Sequence, residues 1–223
     1  ATDILTTALN AYGLEATETE HISDMLITTQ NLGKTTVNEL AGAMGKVIPT
    51  ANANNVQMNQ LCAAYADMTA KGIATAESTT YLNSMLNELG KGGTTVDGVL
   101  REKTGKSFAE LSADGNTLSD VLAILKSYAD ENNKSFGDLW SSSEAGKAAM
   151  VLLGNGADEF NNVLEQMNYS TGATTDAFNK LDTDSNKAKI ALNQIKNAVT
   201  DLGTTALEML QPTLSNICSN VKE

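Results

Sequence analysis

The sequence predicts an all-α protein, an irregular cluster of short capped helices followed by a longer C-terminal helix. Apolar residues recur at i, i+3, i+4 and i+7, and no convincing run alternates with period two. Pro49 and Pro212 are the only prolines, so long stretches are free to be helical. Hydrophobic residues make up 41% of the chain but aromatics only 4%. The core must therefore rest on Leu, Ile, Val, Met and Ala, which suit close helix–helix contacts.

The helices read in order along the chain. Ile22, Met25, Leu26 and Thr29 form the first apolar stripe. Gly33, which can take the left-handed conformation that closes a helix, ends it, and Thr36 and Glu39 then stand at capping-box spacing. A second stripe follows in Val37, Leu40, Met44, Val47 and Ile48, and a third in Leu82, Met85, Leu86 and Leu89. Beyond them one pattern of punctuation recurs: Gly105 with Ser107 and Glu110, Gly115 with Thr117 and Asp120, and Asn133 with Ser135 and Asp138. The Gly or Asn can take the left-handed conformation that ends a helix. The Ser or Thr can cap the next helix, and the acid can bond back to the cap. Leu118, Val121, Leu122, Leu125 and Tyr128 form the stripe that follows Thr117. The caps at Ser107, Thr117 and Ser135 are unevenly spaced, which argues against a solenoid repeat.

The last part differs. From Lys187 to Met209 there is no proline and Gly203 is the only glycine. Leu192, Ile195, Val199, Leu202, Ala206 and Met209 alternate steps of three and four, a heptad-like seam. Leu214, Ile217 and Val221 resume this spacing beyond Pro212, which should kink or end the helix. The expected organisation is a compact multi-helix region over 1–185 and a longer helix over 186–223. The seam is the candidate surface for a partner helix, self-association included; a helix packing back on its own bundle fits the same spacing. The chain opens on Ala1-Thr2-Asp3 without an initiator Met and stops at Lys222-Glu223 without an obvious cap, so a fragment of a longer chain is expected.

Charge narrows the function classes. Asp and Glu number 27 against 15 Lys and Arg, a net charge of -12, and Arg101 is the only arginine. Phosphate binding needs clustered cations, so no specific nucleic-acid partner is expected. The charges are interspersed, as on a solvated surface. Cys62 and Cys218 are two lone thiols, which favours a reducing compartment and leaves a single bridge open. No apolar run approaches the ~18 residues of a membrane span, and no signal peptide opens the chain.

Motifs that could carry chemistry fail on inspection. The "LGKTT" at Leu32–Thr36 ends like a phosphate-binding loop, but Thr28 stands where its first Gly belongs. Asp182, Asp184 and Asn186 match the first ligands of an EF-hand loop, but Lys187 and Asn193 stand at the Gly and Glu positions. His21 is the only histidine, with no HExxH or GxSxG pattern anywhere. Two widely separated cysteines and one histidine do not make a zinc site. No catalytic, cofactor-binding or metal residue is therefore assigned. The methionines, Met25, Met44, Met68, Met85, Met150 and Met167 among them, lie mostly on apolar stripes. That is core packing by default and adaptable partner surface as the lesser reading.

The stretch "LGKTTVNELAGAMGKVIPTA" and, after it, "LCAAYADMTAKGIATAESTTYLNSMLNELGKGG" resemble the core region of phage tail tape measure proteins. "EKTGKSFAEL" and "SSSEAGKAAMVLL" continue in the same order, and "ATDILTTALNAYGLEA" and "FNNVLEQMNYSTGATTDAFNKL" fit at the two sides. "GIATAESTTYLNSMLNELGK" is the most specific part. The resemblance implies a non-enzymatic structural component of a phage or prophage-derived tail. It implies occupancy of the tail tube lumen, the setting of tail length, and a place in the virion tail after assembly in the host cytoplasm. The partners it implies are the tail tube protein, tail assembly chaperones and tail tip or baseplate proteins. A helical interaction module or adaptor unrelated to tail length, using the C-terminal seam, is the competing reading.

Helix geometry limits this expectation. A ruler gains ~1.5 Å per residue only where helix is unbroken. Residues 1–185 are interrupted repeatedly, so they should fold compactly and add little length.

Overall fold

A computed structural model of the protein describes residues 2–153 and 157–180, and among these there is no strand. The helices are α1 (Thr2–Tyr12), α2 (Thr19–Leu32), α3 (Val37–Ala43), α4 (Ile48–Ala53), α5 (Met58–Ala70) and α6 (Thr75–Gly90). They continue as α7 (Thr95–Thr104), α8 (Phe108–Ala113), α9 (Leu118–Glu131), α10 (Ser143–Leu153), α11 (Asp158–Asn168) and α12 (Ala173–Lys180). Short 3-10 turns stand at Ala16–Glu18, Met44–Lys46 and Phe136–Leu139. The fold is all-α, as the stripes predict. The chain divides into two compact units, Ala1–Thr174 and Thr175–Glu223, and the first holds α1 to α11. The expected boundary near residue 185, the helix over 186–223 and its seam (Leu192, Ile195, Val199, Leu202, Ala206, Met209) lie outside the described residues.

The core is organised around α5. This helix is buried on every side: Leu61, Cys62, Ala64, Tyr65 and Met68 are all at most 1% exposed. A helix apolar all round belongs in the interior, and α5 accordingly packs against α2, α4, α6, α10 and α11. Ala63, Ala64 and Ala66 let neighbouring backbones approach closely. The Tyr65 hydroxyl shares a 2.7 Å hydrogen bond with Thr79 Oγ1 on α6, so its polar end is satisfied within the core. Helix α10 lies along α6, α11 along α5, and α1 against α2, α3 and α4. The stripes at 22–29, 82–89 and 118–125 all turn inward: Ile22, Leu26, Leu82, Met85, Leu122 and Leu125 are at most 2% exposed.

The local stop and start signals act largely as read. Thr36 with Glu39, Ser107 with Glu110 and Thr117 with Asp120 form complete capping boxes. Gly105 at φ +76° ends α7, while Gly115 (+94°) and Asn133 (+53°) make the corners after α8 and α9. Three expectations need correction. The stripe from Val37 to Ile48 is divided among α3, a 3-10 turn and α4, with Pro49 in the first turn of α4, where no helical N–H is needed. Gly33 is extended (φ -97°, ψ -178°) and not left-handed. Its role is steric, because a Cβ there would overlap Thr69 Oγ1 and press on Ala66 Cα. Ser135 makes no side-chain cap bond, and only a 3-10 turn follows it. That turn suffices to bury Phe136 and Leu139, and Phe136 meets the Trp140 ring edge-on at 6.2 Å.

Candidate functional site

Several helix N-termini are capped by side chains of other helices. Gln30 Oε1 accepts the Val37 N–H of α3 at 2.9 Å, and Gln60 Oε1 accepts the Leu118 N–H of α9 at 2.7 Å. Glu88 on α6 accepts from the Ser141 and Ser142 N–H groups, at 2.5 and 3.3 Å, just ahead of α10. Asp24 on α2 accepts from the N–H of Gly172 at 2.7 Å and of Thr174 at 2.8 Å, at the start of α12. Each satisfies donors that a helix start leaves orphaned, and the two carboxylates also meet the positive end of a helix dipole. Burial pushes the Asp24 carboxyl up, but the bonds from Thr174 and Gly172, with a smaller contribution from His21, outweigh it and hold the group below its ordinary value. Sequence reading missed all four caps. Their only local signal is a polar residue on or beside an apolar stripe.

A second polar tie joins three helices. Lys71 reaches Asp67 at 2.9 Å, Glu159 at 3.1 Å and the Val151 carbonyl at 2.7 Å. Burial raises the Asp67 carboxyl above its ordinary value despite the Lys71 ammonium.

A largely apolar groove of about 420 Å³ is bounded by α1, α2, α5 and α11. Met25, Met58 and Met167 form its floor. Tyr12 and Leu14 stand on one side, with the Tyr12 hydroxyl donating to the Val56 carbonyl at 2.9 Å. Burial pushes that phenol well above its ordinary value. Glu18 and His21 line another side, and Asn59 bonds Asn168 at 2.7 Å across α5 and α11. His21 is exposed at the rim of this groove and, among the described residues, belongs to no group that could hold a metal. A second groove, of about 540 Å³, runs between α3 and α6, with the polar side chains of Thr80, Asn83, Asn87, Lys46 and Glu144 among its lining.

The other residues singled out from sequence fall into structural roles. Cys62 is a free, fully buried thiol whose pKa burial pushes up to about 12. The Leu32–Thr36 stretch is the end of α2 and the cap of α3, with no strand before it. The Asp182–Asn186 stretch lies outside the described residues. Among the described residues no group of His, Cys, Asp and Glu could hold a metal, and no helix is long and apolar enough to cross a membrane.

The comparisons with known proteins agree on one assignment. The sequence is 37% identical to the probable tape measure protein of Clostridium phage phiCD119 over 93% of this chain and 22% of that protein. It is 22% identical to the tape measure protein of Pneumococcus phage Dp-1 over 97% of this chain and 19% of that protein. The chain thus spans about a fifth of the length of these curated relatives. No solved structure matches it. The family model of phage-related minor tail proteins matches residues 1–154, more than half of the chain. The all-α unit, with that match across most of its length, belongs to the phage-related minor tail protein family and serves as a structural component of a phage tail.

Proposed function

We propose that residues 1–174 are a compact docking or assembly region of a tape measure protein, attached to the part that measures tail length and not part of that measure. One observation carries this reading. Gly172 bonds Asp24 at 2.7 Å although 148 positions separate them. In unbroken helix the same separation would span about 220 Å. Among the described residues of the unit the longest helix, α6, has 16 residues, and no described element is a long rod.

In this reading the parent protein occupies the tail tube lumen and sets its length. The partners of this region are the tail tube protein, the tail assembly chaperones or the tail tip and baseplate proteins, first met in the host cytoplasm. No catalytic step is assigned to it. Membership of a structural tail family supports this reading over an unrelated adaptor.

Tandem duplication of residues 1–174 in the parent gene tests the proposal, because one native copy remains for assembly. A compact body of 174 residues has a radius of gyration of about 16 Å, so the tails should lengthen by at most about 40 Å. Lengthening on the order of 260 Å, the span of 174 helical residues, would falsify the reading. Tail lengths are read by electron microscopy.

A further inference from the structure

We propose that the methionine-floored groove between α1, α2, α5 and α11 receives an amphipathic helix of another protein, carrying a bulky apolar residue flanked by Lys or Arg. This rests on the docking reading above and gives it a partner of stated chemistry.

The groove has the makings of such a site. Its floor of Met25, Met58 and Met167 is unbranched and polarizable, and so adapts to different apolar anchors. Leu14 in its lining is 39% exposed, and Tyr169, next in chain to the lining residue Asn168, is 80% exposed. Large apolar side chains left in water at a concavity mark a surface that a partner would cover.

Charge selects the partner. The four bounding helices contain no Lys or Arg at all, and every cation of residues 1–174 lies between Lys34 and Lys147. Glu18 lines the groove, and Glu20 and Glu165 are exposed on α2 and α11. Glu165 stands one turn before Asn168, on the side of α11 that meets the groove. An apolar trough with an acidic surround accepts a basic amphipathic helix, because apolar anchors supply affinity and the rim charges supply orientation and encounter rate. A second copy of the same face would bring acidic rims together.

The test uses the full 223-residue chain and two short fluorescent peptides of helical periodicity, one of Leu and Lys and the other with Glu for each Lys. Binding is read by anisotropy at about 0.15 M salt. The Lys peptide should bind at least about tenfold more tightly than the Glu peptide. Leu14→Ser and Glu18→Lys, both at exposed positions, should each weaken it at least about threefold. Glu102→Lys, the same charge change on α7, should leave it unaltered. Equal affinity for both peptides overturns the proposal. So does equal weakening by Glu102→Lys, which would mean unspecific attraction to an acidic protein. A concentration-dependent dimer lost in Leu14→Ser assigns the groove to a second copy instead. The peptide result does not depend on tail length, so this proposal and the docking reading can fail separately.

Discussion

Asp24 and Gly172 stand 148 positions apart in the chain, and the carboxylate of one accepts the backbone N–H of the other at 2.7 Å. The second oxygen takes the Thr174 N–H at 2.8 Å, and Asp24 is only 1% exposed. A buried acceptor that loses its charge leaves two donors poorly served. Asp24→Asn should lower unfolding stability by about 1–3 kcal/mol in denaturant titrations. The same bonds hold the folded-state pKa below the ordinary 3.8. This contribution to stability is therefore fully present above pH 3.8 and is lost as the pH falls through the lower folded value. Acid unfolding of Asp24→Asn should lack that component; an unchanged acid limb would contradict the clamp.

Gly33→Ala should destabilise by about 1–3 kcal/mol, because the added methyl has no room beside Thr69 Oγ1 and Ala66 Cα. Thr69→Ala in the same chain should restore only part of the loss, since the α5 backbone at Ala66 still opposes the methyl. Thermal melts of the single and double variants check this, and a neutral Gly33→Ala would refute the close approach.

Cys62 should resist thiol reagents in the native state. It is fully buried, and burial pushes its pKa up to about 12, so little thiolate exists at pH 8. In a Cys218→Ser background, native protein should release no chromophore from Ellman's reagent, while denatured protein should release one equivalent. Rapid native labelling would show that α5 is accessible.

Ser78 is fully buried on α6, and its hydroxyl has no hydrogen-bond partner among the described residues. Removing an orphan buried polar atom relieves its desolvation cost. Ser78→Ala should therefore raise stability by about 0.5–1.5 kcal/mol in denaturant titrations. A loss of stability would mean that the hydroxyl has a partner.

The legible part of the fold was the part written locally. Thr36 with Glu39, Ser107 with Glu110 and Thr117 with Asp120 sit three positions apart, so sequence spacing alone identifies them. The apolar stripes were legible because burial follows helical period. Gln60 bonding Leu118, and Glu88 bonding Ser141, were not, since 58 and 53 positions separate the partners and only the fold brings them together. The role of Gly33 was misread for a related reason: its constraint comes from α5 across the core, not from its own backbone angle. The methionine groove was equally hidden. Met25, Met58 and Met167 come from three separate helices, and each alone looks like an ordinary core residue.

The Asp24 clamp also sets how the first unit responds to force. A pull on the chain beyond residue 174 arrives first at the Gly172 and Thr174 bonds, which pass the load directly to α2 near the start of the unit. While they hold, α11 cannot peel from α5, because the segment that follows it is bolted across the fold. The clamp thus acts as a mechanical latch: unravelling begins only after two short hydrogen bonds break together, and then it can run backward through α11 and α10.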